Sequence, residues 1–179
     1  MDLSDGGYGV SLLNDCKYGH SFLGGMMTIS LIKTGTYPDY AADLGRHEFT
    51  YSLLPHSGSW REAGTVQEAA ALNRPFYVLP APGGGTLPAE FSLVTCDAPN
   101  IIAETAKKAE DGEGIVLRLY ETQGARTNFR LRFGTDFESI KLANLLEQAT
   151  SELGSGSEVE LVAGPYDIIT LLLYGDRSR

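Results

Sequence analysis

The chain has 179 residues, of which 42% are hydrophobic and 21% are charged, proportions that are ordinary for a soluble globular protein. This length is enough for one sizeable domain or for two small β-rich lobes. Its 14 basic and 23 acidic residues give a formal net charge of −9, and a surface of that sign repels phosphate backbones, which argues against nucleic acid as a partner.

The first 80 residues alternate short β-rich segments with turn signals. Met1 is followed at once by a Gly-rich turn, without the basic and apolar pattern of a signal peptide, so we expect the chain to be part of a longer protein. In the last of the predicted strands, alternation places Phe49, Tyr51 and Leu53 on one face, and Pro55 is expected to end it. The three predicted strands are residues 8–13, 26–33 and 47–54.

Residues 60–72 are the one segment whose pattern predicts a helix. Ser59 is expected to cap its N-terminus, with Glu62 three residues later as the partner in a capping box. Gly64 lowers the stability of a helix by about 1 kcal/mol relative to alanine, so the first turn is expected to be irregular. Pro75 follows the predicted end of the helix.

A change of composition divides the chain after the helix. Residues 80–90, PAPGGGTLPAE, have the Pro and Gly content of a linker, and we place the domain boundary between residues 1–85 and 86–179. Residues 144–152 fit a helix as well as a strand. The alternation and the glycine punctuation of the other segments predict a small antiparallel β-sandwich, so the fold class is all-β with one short helix. Its seven predicted strands are residues 91–96, 101–109, 115–121, 127–133, 139–145, 159–162 and 168–174.

Cysteine usage and hydropathy bear on location. The two cysteines, Cys16 and Cys96, are too few for a disulfide framework, and free thiols fit a cytoplasmic protein. The longest apolar run near the C-terminus, residues 168–174, is far shorter than the roughly 20 residues that span a membrane. We therefore expect no membrane partner.

Several sequence blocks carry a family resemblance. They occur in this order: DLSDGGYGVSLLNDCKYGH, LGRHEFTYSLLPHSGSWREAG, IIAETAKKAEDGEGIVLRLYE and, more loosely, PYDIITLLL. In order and spacing they resemble the C-terminal region of bacterial and vacuolar-type family 38 α-mannosidases. The resemblance implies that residues 1–85 hold the last strands of a β supersandwich of the galactose-mutarotase-like type, followed by the smaller sandwich.

The resemblance also implies that the chemistry lies elsewhere. In this family the zinc ligands, the nucleophilic carboxylate and the acid/base lie on an N-terminal (β/α) barrel, so we expect no catalytic residue, metal or other cofactor in this chain. Its expected role is to complete the enzyme by packing on its own barrel. The parent reaction is expected to be hydrolysis of terminal α-mannosides or oligosaccharides with retention, through a covalent intermediate. An independent carbohydrate-binding module is the alternative.

Two places in the first lobe are candidates for lying near the substrate of the parent enzyme. The turn NDCKYG could project Asn14, Asp15, Lys17 and Tyr18 toward the cleft of the barrel. It could equally be a tight turn in which its first two side chains bond their own backbone. At Lys33 the family commonly has arginine, and lysine keeps the charge but loses the bidentate fork. The alternative for Lys33 is a solvated side chain at a strand end.

Other chemistries fit the sequence less well. A zinc site needs three or four convergent ligands, which Cys16 and His20 do not supply. His47 and Glu48 point to opposite faces of a strand, so they cannot easily act on one substrate atom. Trp60 could stack on a sugar, but its place beside a helix start favours a partly buried anchor.

Association is the remaining expectation. If residues 1–80 are only the last strands of a larger sheet, the isolated chain exposes an unpaired edge and apolar faces. We therefore expect it to self-associate through its first lobe, most simply as a symmetric dimer.

Overall fold

A computed structural model describes residues 1–81, 83–86 and 88–175. In this part of the chain every strand pairing is antiparallel, and a single short helix is present. The predicted all-β class with one helix is confirmed. The chain divides into two compact units, Met1–Ala81 and Pro82–Arg179.

The first unit is built on a three-stranded sheet in the order β1-β2-β5. Two-residue turns of positive φ, Gly6-Gly7 and Gly24-Gly25, close the β1–β2 and β3–β4 hairpins, as right-twisted hairpins require. β3 and β4 form a separate two-stranded sheet. The strands are β1 (Asp2–Asp5), β2 (Tyr8–Asn14), β3 (His20–Leu23), β4 (Met26–Ile29) and β5 (Tyr51–Ser57).

Two strands of this unit differ from their prediction. β4 ends at Ile29, so Lys33 lies beyond the strand in an irregular segment. β5 begins at Tyr51 and continues through Pro55 to Ser57. Pro55 does not end it because, among the described residues, β5 pairs with β2 alone and lies at the edge of the sheet, where a missing N–H can face outward.

The helix α1 (Thr65–Asn73) begins later than predicted. The predicted capping box does form, since the amide and the hydroxyl of Ser59 both donate to the Glu62 carboxylate, at 2.8 and 2.9 Å. Gly64, however, has a left-handed φ of 63°, which interrupts the helical conformation after that single turn. Gly64, and not Ser59, is therefore the residue that precedes the helix. Among the described residues no helix is long and apolar enough to cross a membrane.

The second unit is an antiparallel β assembly in the order β10-β9-β11-β8-β7, with β6 paired to β9. The two predicted strands, 127–133 and 139–145, are parts of one long strand, β9, which also includes the residues between them and ends at Ala143. Residues 144–148 are a turn, not a helix, and β10 begins directly after it. The strands are β6 (Val94–Cys96), β7 (Ile101–Lys108), β8 (Ile115–Glu121), β9 (Thr127–Ala143), β10 (Ala149–Ala163) and β11 (Ile168–Tyr174).

Alternation along β9 separates the core from the surface of the second unit. Phe129, Leu131 and Phe133 point inward and are at most 7% exposed. The intervening Arg130 and Arg132 point outward and form cross-strand ion pairs with Glu160 and Glu158 of β10. Further core side chains come from β8, β9 and β11, namely Leu117, Leu119, Ile140, Ile169, Leu171 and Leu173.

Candidate functional site

The NDCKYG turn (residues 14–19) leaves the end of β2 and is held by its first side chain. The Asn14 side-chain oxygen accepts hydrogen bonds from the amides of Cys16 and Lys17, and its amide nitrogen lies 3.3 Å from Nε2 of His20. This is an Asx turn, in which a side chain takes the place of a backbone acceptor. The local geometry is thus the tight turn that the sequence left as one alternative.

Neighbouring segments anchor the turn. The amide of Thr50 donates to the Asp15 carboxylate at 2.9 Å, and the amide of Asp15 donates back to the carbonyl of Thr50 at 3.2 Å. The side chain of Asn73, at the end of α1, donates to the carbonyl of Asn14 at 3.1 Å. Hydrogen bonds from Cys16 and Thr50 hold the pKa of Asp15 below its ordinary value. The turn is therefore joined to both the start of β5 and the end of α1.

The other side chains of the turn differ in what they offer a ligand. Lys17 is half-buried, and its ammonium lies 4.8 Å from the centre of the Phe49 ring. The Tyr18 side chain is 95% exposed. Asn14 and Asp15 are occupied by bonds within the turn and to Thr50. Of the four predicted residues in the turn, Tyr18 is the one whose ring projects freely into solvent.

Lys33, the fifth predicted residue, lies outside the turn. The β3–β4 hairpin follows the turn directly, and the amide of Ser30 donates to the carbonyl of Gly19 at 2.7 Å. Lys33 follows that contact by three residues and is exposed. The β3–β4 hairpin therefore connects the turn to the segment that holds Lys33. A common role of the turn and Lys33 at a substrate stays a prediction.

A buried polar cluster that the sequence did not predict lies beneath the sheet of the first unit. His56 Nε2 lies 2.7 Å from the Asp2 carboxylate, to which the hydroxyl of Ser11 donates at 2.6 Å. The Ser11 hydroxyl also lies 2.8 Å from that of Thr65, the first residue of α1. We call these four residues the Asp2–His56 cluster. No sequence signal marks it, because its members come from β1, β2, β5 and α1.

Serine, histidine and aspartate together invite comparison with a catalytic triad, but the geometry excludes it. In a triad the aspartate and the serine bind opposite nitrogens of the imidazole. Here Ser11 and Asp2 both face Nε2 of His56, at 3.4 and 2.7 Å. Ser11 is also fully buried, so no substrate reaches its hydroxyl. The cluster joins strands to the helix and does no nucleophilic chemistry.

Charge in the Asp2–His56 cluster is stabilised by its hydrogen bonds. Burial opposes ionisation of Asp2, but hydrogen bonds from Ser11, Ser4 and His56 outweigh it and leave the pKa of that carboxyl below its ordinary value. The hydrogen bond to Asp2 raises the pKa of His56. When His56 is protonated the two side chains form an ion pair, and they are 6% and 12% exposed for His56 and Asp2.

A deeply buried carboxylate of the second unit is Glu121, at the end of β8. Its oxygens accept hydrogen bonds from the Asn100 side chain at 2.8 Å and from the amide of Tyr166 at 3.0 Å. The amides of residues 123–125 also donate to it, at 2.7–3.2 Å. Burial opposes the charge, yet these bonds lower the pKa of Glu121 to about 2. A carboxylate so fully bonded ties loops together and is not available as an acid or base.

Two remaining chemistries find no support among the described residues. No three side chains of His, Cys, Asp or Glu converge there as metal ligands, so the residues present do not fit a zinc site. Trp60 is half-buried, and the Arg61 guanidinium lies 4.3 Å from its ring centre. That contact favours an anchor over a sugar-stacking platform.

Comparison with known proteins identifies two family models that match the chain. The model described as Glycosyl hydrolases family 38 C-terminal domain matches residues 1–41, which include the NDCKYG turn. The model described as Glycosyl hydrolases family 38 C-terminal beta sandwich domain matches residues 100–171, which lie in the second unit.

Curated relatives match the chain over most of its length. Alpha-mannosidase 2C1 of Homo sapiens is 39% identical over 97% of this chain, which covers 17% of that protein. Alpha-mannosidase G of Dictyostelium discoideum is 40% identical over 82% of the chain and 14% of its own length. Alpha-mannosidase of Saccharomyces cerevisiae is 33% identical, with coverages of 82% and 15%. The chain thus spans less than a fifth of each of these relatives.

Proposed function

Because the chain belongs to the C-terminal domains of glycosyl hydrolase family 38, we propose that it is the accessory and structural part of an α-mannosidase that hydrolyses terminal α-mannosides with retention. One observation carries this proposal. The α-mannosidases that resemble the chain do so over 97% of its length, while it accounts for only 17% of the human relative. A part of that size completes an enzyme more readily than it contains one.

The catalytic groups of this enzyme belong, on this proposal, to its own (β/α) barrel domain, together with zinc. The buried acids of the chain support that assignment. Glu121 accepts five hydrogen bonds, and Asp2 is paired with His56. A retaining glycosidase needs two carboxyl groups about 5–5.5 Å apart beside the substrate, one of them free to exchange a proton. Neither Glu121 nor Asp2 is free to do so, and we expect this chain alone to be inactive.

The chain contributes to the substrate site, on the same proposal, through Asn14, Asp15, Lys17, Tyr18 and Lys33. The anchored NDCKYG turn supports this role, because its bonds to Thr50 and Asn73 hold a 95% exposed tyrosine in a defined place. Such a turn presents a side chain to a neighbouring domain with little loss of conformational freedom on binding. The ligand would be the mannoside or oligosaccharide held by the barrel.

Assays of aryl α-mannoside hydrolysis test the proposal. We expect turnover by the full-length protein that carries this sequence, none by this chain alone with or without added zinc, and loss of turnover when this region is deleted. The Asp136→Asn, Glu138→Gln double variant of the chain, which alters two exposed acids, is the matched control. Turnover by the chain alone that is lost on substituting its own acids would contradict the proposal.

Location and self-association belong to the same proposal. A cytoplasmic location is supported by Cys16, a free and exposed thiol that suits a reducing compartment. Self-association of this chain is supported by the apolar side chains that the first unit leaves in water, including Tyr8, Tyr51 and Leu53 at 57–61% exposure. Apolar surface of this kind drives association when copies meet.

A further inference from the structure

Four consecutive apolar side chains stand almost completely in water directly after α1. They are Phe76, Tyr77, Val78 and Leu79, which are 97%, 94%, 90% and 83% exposed. We call residues 76–79 the apolar segment. It lies outside every helix and strand of the first unit. Single exposed hydrophobic residues are common on proteins, but four in a row with no cover mark a surface that another polypeptide buries.

The composition of the apolar segment is that of a β-strand. Phenylalanine, tyrosine and valine favour strands. Pro75 and Pro80 bound the segment, and proline is typical of strand ends because it cannot donate to a ladder. Since successive side chains of a strand point to opposite faces, Phe76 and Val78 would face one way, and Tyr77 and Leu79 the other. Both faces are apolar, as in strands covered on both sides.

We propose that the apolar segment is a strand that pairs with an open sheet edge in the remainder of the full-length enzyme. This inference rests on the proposed function. An exposed edge offers unpaired N–H and C=O groups that a strand can bond, and flanking layers can cover both of its faces. A flat apolar surface would cover only one face.

The remainder of the enzyme fits this role better than a second copy of the chain. The relatives that match the chain are several times its length, since it covers 17% of the human one. They therefore have ample polypeptide to supply a sheet. The partner is thus a β-sheet of the same polypeptide, joined without the entropy cost of a bimolecular encounter.

The exposure of the sheet of the first unit supports the same proposal. On one of its faces Tyr8, Tyr51 and Leu53 remain 57–61% exposed, because α1 contributes Thr65 to the opposite face, where Ser11 and His56 lie. The first unit therefore lacks cover around these three side chains of one sheet face and also over the apolar segment. A unit that completes a larger sheet would show this pattern.

Hydrogen exchange tests the proposal in two proteins, this chain at a concentration where light scattering reports a monomer, and the full-length enzyme. Peptides spanning the apolar segment should exchange rapidly in the chain and be protected on the order of 100-fold or more in the enzyme. Equally rapid exchange in both would overturn the proposal. So would protection in the enzyme that appears only at concentrations where it dimerises, because the occupant would then be a second copy.

A variant pair tests the same strand by stability. Val78→Lys should lower the melting temperature of the full-length enzyme and leave that of this chain unchanged. Leu146→Lys, at a side chain 78% exposed in the turn before β10, is the control and should change neither. Equal effects of the two variants on the enzyme would overturn the proposal. If Val78→Lys prevents folding, exchange in the unmodified enzyme still decides. Mannosidase activity of that preparation is measured separately, so failure of the proposed function is distinguishable.

Discussion

At the level of single residues, the Asp2–His56 cluster joins positions that lie 54 residues apart in the sequence. Its ion pair links stability to pH in two directions. The raised pKa of His56 means that its contribution is present below about pH 6.5 and is lost as pH rises through the raised value. The lowered pKa of Asp2 means that its contribution is present above about pH 3.9 and is lost as pH falls through the lowered value.

We therefore expect the free energy of unfolding to decrease as pH rises from 6 to 9, and the His56→Gln variant to lose that dependence. His47→Gln is the matched control, since His47 is exposed and its Nε2 lies 2.7 Å from the backbone carbonyl of Asp43 in its own loop. Urea unfolding at several pH values measures both. An unchanged pH slope in His56→Gln would show that the ion pair does not link stability to pH.

Glu121 gives a second prediction at the residue scale. Replacing it with glutamine puts an NH2 donor where a carboxylate oxygen accepts from buried backbone N–H groups, and leaving those donors without an acceptor costs roughly 1–3 kcal/mol. Thermal unfolding of Glu121→Gln should show this loss at neutral pH. The loss should shrink in strong acid, because a carboxyl with a pKa lowered to about 2 contributes its full stability above the ordinary glutamate pKa of about 4.3 and loses it as pH falls toward 2. The control variant Glu138→Gln, at an exposed acid, should leave the stability unchanged.

The proposed role of Lys33 beside the substrate can be tested in the full-length enzyme. Loss of a hydrogen bond to a charged group costs roughly 1.5–3 kcal/mol, so Lys33→Ala should lower kcat/KM by about tenfold or more. The melting temperature should hardly change, since an exposed charge contributes little to folding. Lys108→Ala, at an exposed lysine of β7, is the control. A fall in stability that matches the fall in activity would contradict the role.

At the level of elements, Gly64 decides where α1 begins. Its φ of 63° suits glycine and disfavours any residue with a Cβ. Gly64→Ala should therefore destabilise the chain by about 1 kcal/mol or more. If Gly64 lay within a helix over residues 60–72, as the sequence predicts, the same change would stabilise by a similar amount. Chemical unfolding thus distinguishes the two by the sign of the effect.

Local patterns predicted several elements well, because each depends on its own alternation. The predicted segment 115–121 coincides with β8, the segment 168–174 coincides with β11, and β2 extends the predicted segment by one residue. Of β10, residues 159–162 were predicted and the longer first part was not, because irregular pairing around Gly154 and Gly156 interrupts its alternation. The Asp2–His56 cluster escaped it because proximity across four elements is a property of the fold. The NDCKYG turn was predicted in place, but its bonds to Thr50 and Asn73 depend on distant residues.

At the level of the whole molecule, the exposed apolar side chains of the first unit predict association of this chain in isolation. Light scattering should show a dimer or larger species. Leu53→Lys, at a side chain 61% exposed on the sheet of the first unit, should shift the association equilibrium toward monomer. Leu146→Lys in the second unit should not. A monomer that persists at high concentration would show that the first unit is self-sufficient.

Cys16 has a practical consequence. It is exposed, whereas Cys96 is partly buried, so a maleimide reagent should modify Cys16 first. The hydrogen bond and charge of Asp15 raise the pKa of the Cys16 thiol, so labelling should be slow at neutral pH and accelerate in mild alkali. A fluorophore attached there would sit two residues from Tyr18. In the full-length enzyme, its emission would report directly on whatever occupies the space in front of the NDCKYG turn.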